Sequence, residues 1–398
     1  MSYEEFRHEV RSFLAANLTP ELRRAGELTT TVFSDFDASL EWHRILYKQG
    51  WVAPDWPVEY GGTGWDINER YIFQEECKLA NAPSLFALGL QMVGPMLMGY
   101  GSEAQKAKYL PRILSGEDMF CQGYSEPGAG SDLASLRCAA ERDGDDYVIN
   151  GQKTWTSMAK HANKMFLLVR TSKEGKPQAG ITFLLLDDMS TEGLTIDPIV
   201  GLDGRVEQCA CFFENVRIPV ANRVGEENQG WAVAKYLLEF ERGGHNYTID
   251  LKKQIKKVRE AGTMHHGIDG KPALANPVIA SRLAELEVDA LAVEYTELRL
   301  KRAIAGGGNP GALSSLAKLT GTELTQRFHE LALDLLGPST LLYQPEALEP
   351  GYQGAPINED YALTTMPEYL NGRASTIYGG SAQVQRNIIA KLVLQLDS

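Results

Sequence analysis

The 398-residue chain has no run of 18 or more apolar residues, so no membrane-spanning helix is expected. It is short of positive charge. Lys and Arg number 39 against 52 Asp and Glu, and the formal net charge of −13 speaks against nucleic acid or an anionic membrane as a partner. Cysteine is sparse: Cys77, Cys121, Cys138, Cys209 and Cys211 make up the whole set and follow no metal-ligand spacing. They read as reduced structural thiols, with Cys209 and Cys211 on one face of a strand. The adjacent His265 and His266 cannot converge on one ion from a regular helix, and no metal is expected. The opening Met1-Ser-Tyr-Glu-Glu has no basic segment followed by an apolar one and is acidic rather than Arg-rich. Neither a secretory nor a mitochondrial leader is expected, and a cytoplasmic protein is.

What is present is globular in texture, with 43% hydrophobic and 23% charged residues. At this length two or three domains are expected. Residues 1–120 read as helical, since Phe6, Val10, Phe13 and Leu14 recur at helical spacing, as do Leu40, His43, Leu46 and Tyr47. Residues 85–100 form an apolar stretch broken by Gly and Pro, expected as a buried helix. Between 121 and 228 the pattern changes to short apolar or alternating runs, at 146–150, 165–170, 181–186 and 210–213. Turns such as Asp143-Gly144 separate them, so this part reads as all-β. From 229 to 398 helices return, over 231–247, 279–306, 312–336 and 383–396, with Gly306-Gly-Gly-Asn-Pro310 as a breaker.

The most informative stretch is Gln122-Gly-Tyr-Ser-Glu-Pro-Gly-Ala-Gly-Ser-Asp132. Its three glycines allow unusual backbone angles and close approach of a ligand, and short hydroxyls and acids stand between them. Alone, such a loop reads equally as a polar turn. It is followed by Gly151-Gln-Lys-Thr-Trp-Thr-Ser157 and, near the C-terminus, Ile377-Tyr-Gly-Gly-Ser-Ala-Gln-Val-Gln-Arg386. Trp56-Pro-Val-Glu-Tyr-Gly-Gly-Thr-Gly-Trp65 and Phe212-Phe-Glu-Asn-Val-Arg-Ile-Pro219 add two further blocks. In this order and over nearly the whole chain, the blocks resemble the acyl-CoA dehydrogenase family.

The resemblance implies an α+β fold with three domains. These are an N-terminal helical domain (1–120), a middle β-sandwich or barrel-like domain with the flavin and CoA loops (121–228), and a C-terminal four-helix bundle carrying the base and oligomerisation surface (229–398). It implies FAD, oxidation of an acyl-CoA to the enoyl-CoA, electrons passed to an electron-transfer flavoprotein, and a tetramer. Gln122, Tyr124, Ser125 and Gly130 match the loop over the isoalloxazine ring. Ser131 matches a position that meets the CoA portion as well. Trp155, Thr156 and Ser157 match the segment covering the ring near N5, and Ser381 and Gln383 match residues reaching the adenine-side half. Tyr378 would line the acyl pocket. The net charge does not oppose an anionic thioester, because local Arg and Lys override it.

One expected residue is missing. Many members carry a glutamate as base where this chain has Gly379, which leaves only a backbone N–H to meet the thioester carbonyl, together with the flavin ribityl hydroxyl. Other members place the carboxylate before an arginine on a C-terminal-domain helix. Leu238-Glu239-Phe240-Glu241-Arg242 fits that pattern, with Glu241 as base, Glu239 toward the pantetheine and Arg242 either on the substrate or bracing the carboxylate; a solvated Glu241 is the competing reading. His161 and His245 lie nearby in sequence, either polarising substrate or in ordinary polar roles. An Arg-x-x-Phe-Gly segment is absent from 257–266, and the usual Gln-x-x-Gly-Gly is replaced by Asp334-Leu-Leu-Gly-Pro338. Both elements serve the flavin across a subunit interface in the family. An α2β2 heterotetramer with a related subunit and a homotetramer with an altered FAD grip both remain open. A redox-neutral elimination such as desulfination, a non-catalytic acyl-CoA-binding subunit, and a flavin monooxygenase are the alternatives in function.

Overall fold

The computed structural model describes residues 1–243, 246–267, 269–305 and 313–396, with the side chains of 239–243, 304 and 305 also left undescribed. Six helices come first: α1 (Tyr3–Asn17), α2 (Pro20–Glu27), α3 (Phe36–Gln49), α4 (Ile67–Leu79), α5 (Gly94–Tyr100) and α6 (Glu103–Ser115). Their starts are written in the sequence. Ser2 with Glu5, Asp66 with Glu69, and Ser102 with Gln105 form reciprocal capping boxes on α1, α4 and α6. The apolar stretch before α5 is helical as expected, but Leu88–Val93 winds as a π-turn. Pro95 has no N–H to offer, and Trp56 Nε1 donates to Leu90 O at 2.6 Å, drawing a carbonyl out of the ladder.

Eight strands follow: β1 (Phe120–Gly123), β2 (Ala139–Asp143), β3 (Asp146–Ser157), β4 (Lys164–Arg170), β5 (Ile181–Leu186), β6 (Leu194–Ile199), β7 (Gln208–Pro219) and β8 (Arg223–Val224). They run in the order β6-β7-β3-β2-β4-β5-β8, with β1 parallel to β4. β2 and β4 meet at one residue pair only, Ala139 and Arg170, so the sheet is two halves hinged there. The halves close on one another: Tyr147, Ile149, Cys209, Cys211 and Phe213 from one share a core with Met165, Leu167, Val169 and Leu184 from the other. Cys209 and Cys211 do lie on the same face. The opposite faces of β4 and β5 present Phe166, Leu168, Ile181, Phe183 and Leu185 to the core of α1, α3–α6 and their loops. Burial on both faces is why these two strands read as unbroken apolar runs.

The remaining helices are α7 (Gly230–Gly243), α8 (Tyr247–Met264), α9 (Pro277–Ala305), α10 (Leu313–Leu336), α11 (Asp360–Gly372) and α12 (Ala382–Leu392). Val233, Ala234 and Leu237 of α7 enter the N-terminal core, whereas α8, α9, α10 and α11 share a bundle core around Phe328 and Leu331. Two expectations are corrected here. The helix expected over 231–247 stops at Gly243, and Tyr247 opens a new one. Neither α8 nor α11 was anticipated. Lysines at 252, 253, 256 and 257 obscure the apolar stripe of α8, and α11 holds Thr364, Thr365 and Pro367, poor helix formers that tertiary contacts retain. The Gly306–Pro310 breaker lies outside the described residues. None of the described helices is long and apolar enough to cross a membrane.

His329 of α10 is buried against Gly372, with Glu368, Lys257, Arg373 and Glu330 around it, and burial pulls its pKa down to about 4. A depressed value means the fold favours the neutral ring. That stability is complete above the ordinary value of about 6.5 and is lost as pH falls toward 4. In urea titrations, the loss of unfolding free energy between pH 6.5 and about 4.5 should shrink by about 2 kcal/mol in His329→Leu.

Candidate active site

The glycine-rich loop leaves β1 at Gly123, where a Cβ would lie 2.7 Å from Met165 Sδ. Tyr124 turns its ring into the core, edge-on to Phe166 and Phe183. Any contact it makes with a ligand therefore goes through its backbone or its phenol rim. Glu126 then anchors the loop. Its carboxylate accepts from Arg137 N at 2.7 Å, Cys138 N at 2.9 Å and Lys153 Nζ at 2.7 Å. Lys153 is wholly buried in β3 and also donates to Tyr124 O. Glu126 and Ala129 exchange backbone hydrogen bonds at 3.0 Å, closing the turn over Pro127 and Gly128. Gly128, Gly130 and Ser131 are exposed, and a Cβ at either glycine would meet nothing within 4 Å. No packing within the chain explains those two glycines; they leave backbone open to approach.

The second block gains its geometry from a bulge. The β3–β7 register slips between Lys153 and Thr156. Trp155 sits in the slip at φ +57°, rare for a bulky residue, with its side chain 60% exposed. Thr154 N, freed from the ladder, donates to Ser125 O at 2.9 Å, so the first two motif blocks are bonded to each other. Thr156, named with Trp155 and Ser157 in the same segment, turns its side chain inward. It is fully buried with its hydroxyl toward Cys211, so only its backbone faces outward. The hydroxyls of Ser125 and Ser157 take no partner among the described residues.

The third block is a turn with two left-handed glycines, Gly379 at φ +62° and Gly380 at +88°. An L-residue at 379 would pay roughly 1–2 kcal/mol for that conformation. The Gly379 N–H donates to no acceptor among the described residues. Ser381 caps α12 by accepting from Val384 N, and Gln383 is exposed in the first turn. Tyr378 has its phenol pushed up to about 12, first by burial and then by the negative charges of Glu207 and Asp250. Glu207 belongs to the residue pair next to Ser157, through the bond of Met158 N to Glu207 O. The C-terminal turn therefore lies by the end of β3, beside the bulged strand.

Glu207 was not singled out from the sequence. Burial raises its carboxyl, which accepts from Val32 N at 3.1 Å. Nothing in its neighbours, Val206 and Gln208, signals this. His161 stacks on Phe36 at 4.5 Å and is held toward its neutral form by burial, a packing role. Glu239, Glu241 and Arg242 fall on the last turns of α7, but their side chains, and all of His245, lie outside the described residues.

The site fits a flat, polar-edged cofactor such as FAD. It offers an exposed indole on a bulge, hydroxyls at Ser125 and Ser157 that have no partner among the described residues, and a loop whose glycines leave its backbone open. Breaking a buried ion pair by removing one partner typically costs about 3–5 kcal/mol. Lys153→Met should therefore lower the thermal midpoint and, in the fraction that folds, lower bound FAD per chain, measured by absorbance after gel filtration.

The sequence matches the acyl-CoA dehydrogenase N-terminal domain over residues 2–117, the middle domain over 121–216 and the C-terminal domain over 228–394. It is 35% identical over 408 aligned positions to acyl-CoA dehydrogenase FadE26 of Mycobacterium tuberculosis, covering 99% of this chain and 96% of that one. Among solved structures it is similar to the ChsE4-ChsE5 complex from Mycobacterium tuberculosis, with a TM-score of 0.82, 34% identity and coverage of 100% and 98%. A steroid ACAD, Tcur3481-Tcur3483, gives a TM-score of 0.84 at 32% identity, with coverage of 99% and 97%. The chain thus belongs to the acyl-CoA dehydrogenases, FAD-dependent oxidoreductases.

Proposed function

We propose that this chain oxidises the α,β bond of a bulky acyl-CoA with Glu241 as base. The Gly379 N–H is the observation that carries the reading. Where many family members have a carboxylate, this chain has a glycine whose N–H has no acceptor among the described residues, in a backbone conformation that disfavours any side chain. A thioester carbonyl placed against that N–H has its developing negative charge stabilised as the α-proton leaves. The proton must then go to a carboxylate on another element, and Glu241 at the end of α7 is the candidate. Bound FAD supplies the hydride acceptor. Ser125, Trp155 and Ser157 hold and cover it, with Gln122, Tyr124, Gly130 and the backbone of Thr156 lining the same surface. Ser381 and Gln383 reach its adenine side. Ser131, Glu239, Arg242 and Tyr378 bind the CoA and acyl portions, and an electron-transfer flavoprotein takes the electrons.

The acyl group is proposed to be a steroid-type side chain. The Gly379-Gly380 pair adds no side-chain volume, and a relative named as a steroid ACAD supports this choice. The assembly is proposed to be an α2β2 heterotetramer. Support comes from the two missing cofactor segments and from two similar solved structures that each pair two different chains. α9 also exposes Val288, Leu291, Tyr295 and Leu298 at helical spacing, an apolar stripe suited to a partner helix.

Anaerobic titration with straight-chain, branched and steroid-side-chain acyl-CoAs, followed by flavin absorbance, tests the chemistry. Wild type should bleach fastest with the steroid thioester, and Glu241→Gln should slow bleaching by at least about 100-fold. Flavin that never bleaches would overturn the reading. Light scattering and FAD content of the chain purified alone test the assembly; a homotetramer with one FAD per chain would exclude the heteromer.

A further inference from the structure

Midway along α10 a lysine is buried for no reason the family chemistry supplies. Lys318 is 6% exposed, and its Nζ donates to Ser375 O and Gly380 O, each at 2.9 Å. These two carbonyls bracket the segment that carries Tyr378 and Gly379. Gln385, 1% exposed, adds its Nε2 to Gly380 O at 3.2 Å and Gly379 O at 3.4 Å. Gln326 holds the start of the segment through Gly372 O at 2.9 Å. Three donors from two helices thus hold carbonyls along residues 372–380. The Gly379 N–H, by contrast, donates to no acceptor among the described residues.

We propose that Lys318 is a positioning residue for the reaction. It fixes the direction of the Gly379 N–H through the carbonyls it holds on either side. The inference rests on the reading of Gly379 given above. Two successive glycines at positive φ have little conformational preference of their own, so the direction of the N–H must be imposed from outside. A cation tied to carbonyls on both sides of the turn imposes it. An N–H held in that direction favours the enolate of a bound thioester over its neutral form. A purely structural lysine would hold the fold without changing the acidity of a bound ligand.

The test uses the FAD-loaded enzyme, with its partner subunit if FAD retention requires one, and a 3-thia-acyl-CoA. This probe loses its α-proton on binding to give an enolate with a long-wavelength absorbance band beside flavin. The pH midpoint of that band is compared in wild type, Lys318→Met and Gly380→Ala. The alanine Cβ would lie 2.3 Å from Gln385 Nε2 at a φ of +88°, so it displaces the turn while leaving the lysine in place. Both variants should raise the midpoint by about one unit, a tenfold loss of α-proton acidity, with a smaller change in probe Kd. If Lys318→Met does not fold, Gly380→Ala and Gln385→Leu carry the comparison. A wild-type band whose midpoint is unchanged in every folded variant overturns the role of Lys318 and leaves Gly379 intact. A wild-type enzyme that binds the probe by calorimetry but shows no band at any pH overturns the reading of Gly379 itself, and this inference with it.

Discussion

The ion pair between Lys153 and Glu126 is the constraint on which the rest of the site depends. It joins the loop after β1 to the interior of β3, and both partners are withdrawn from water. Desolvation makes such a pair costly to form, and further hydrogen bonds to both partners offset that cost. Here Arg137 N, Cys138 N and Tyr124 O complete the set. The consequence is geometric: a loop rich in glycine, which would otherwise sample many conformations, has one.

The same economy appears at the other two blocks. The β3 bulge spends one register step to aim an indole outward and frees Thr154 N to bind Ser125 O. The Gly379-Gly380 turn, without stiffness of its own, is held through its carbonyls by Lys318 and Gln385, while Gln326 holds the segment leading into it. In each case a flexible or strained segment is over-determined by buried polar partners, which is how backbone strain persists at functional sites. The chain is acidic as a whole, yet the charges buried beneath its site loops at 153 and 318 are cationic. Net charge bears on what the surface attracts, and local pairing on what the interior does.

Much of the fold was legible in the residues. Apolar runs located β3, β4, β5 and β7, helical spacing of apolar residues marked the first and third helices, and the switch from helix to sheet and back showed in texture. Less legible were α8, whose lysines fall among its apolar positions, and α11, whose threonines and proline argue against the helix that Lys257 and Glu368 help to hold at 2.6 Å. Of the candidate site residues, the motifs named Ser125, Trp155 and Thr156 but not their orientations, because period-two alternation through a bulge does not say which of two neighbours turns inward. Glu207, Lys318 and Gln385 carry no local signal; Glu207 and Lys318 have partners more than 50 residues away, and Gln385 reaches a glycine turn whose shape the sequence does not state.

The sequence by itself determined which chemistry is available: motif blocks that place the chain in its family, and a glycine where a base usually stands. Those are facts of composition at a position, and no fold is needed to read them. Only the tertiary structure decided how that chemistry is aimed. The direction of the Gly379 N–H, the exposure of the Trp155 indole and the burial of Thr156 follow from backbone angles and from hydrogen bonds between distant segments. Such bonds form only when the chain is packed, because in water each donor and acceptor would be satisfied by solvent instead.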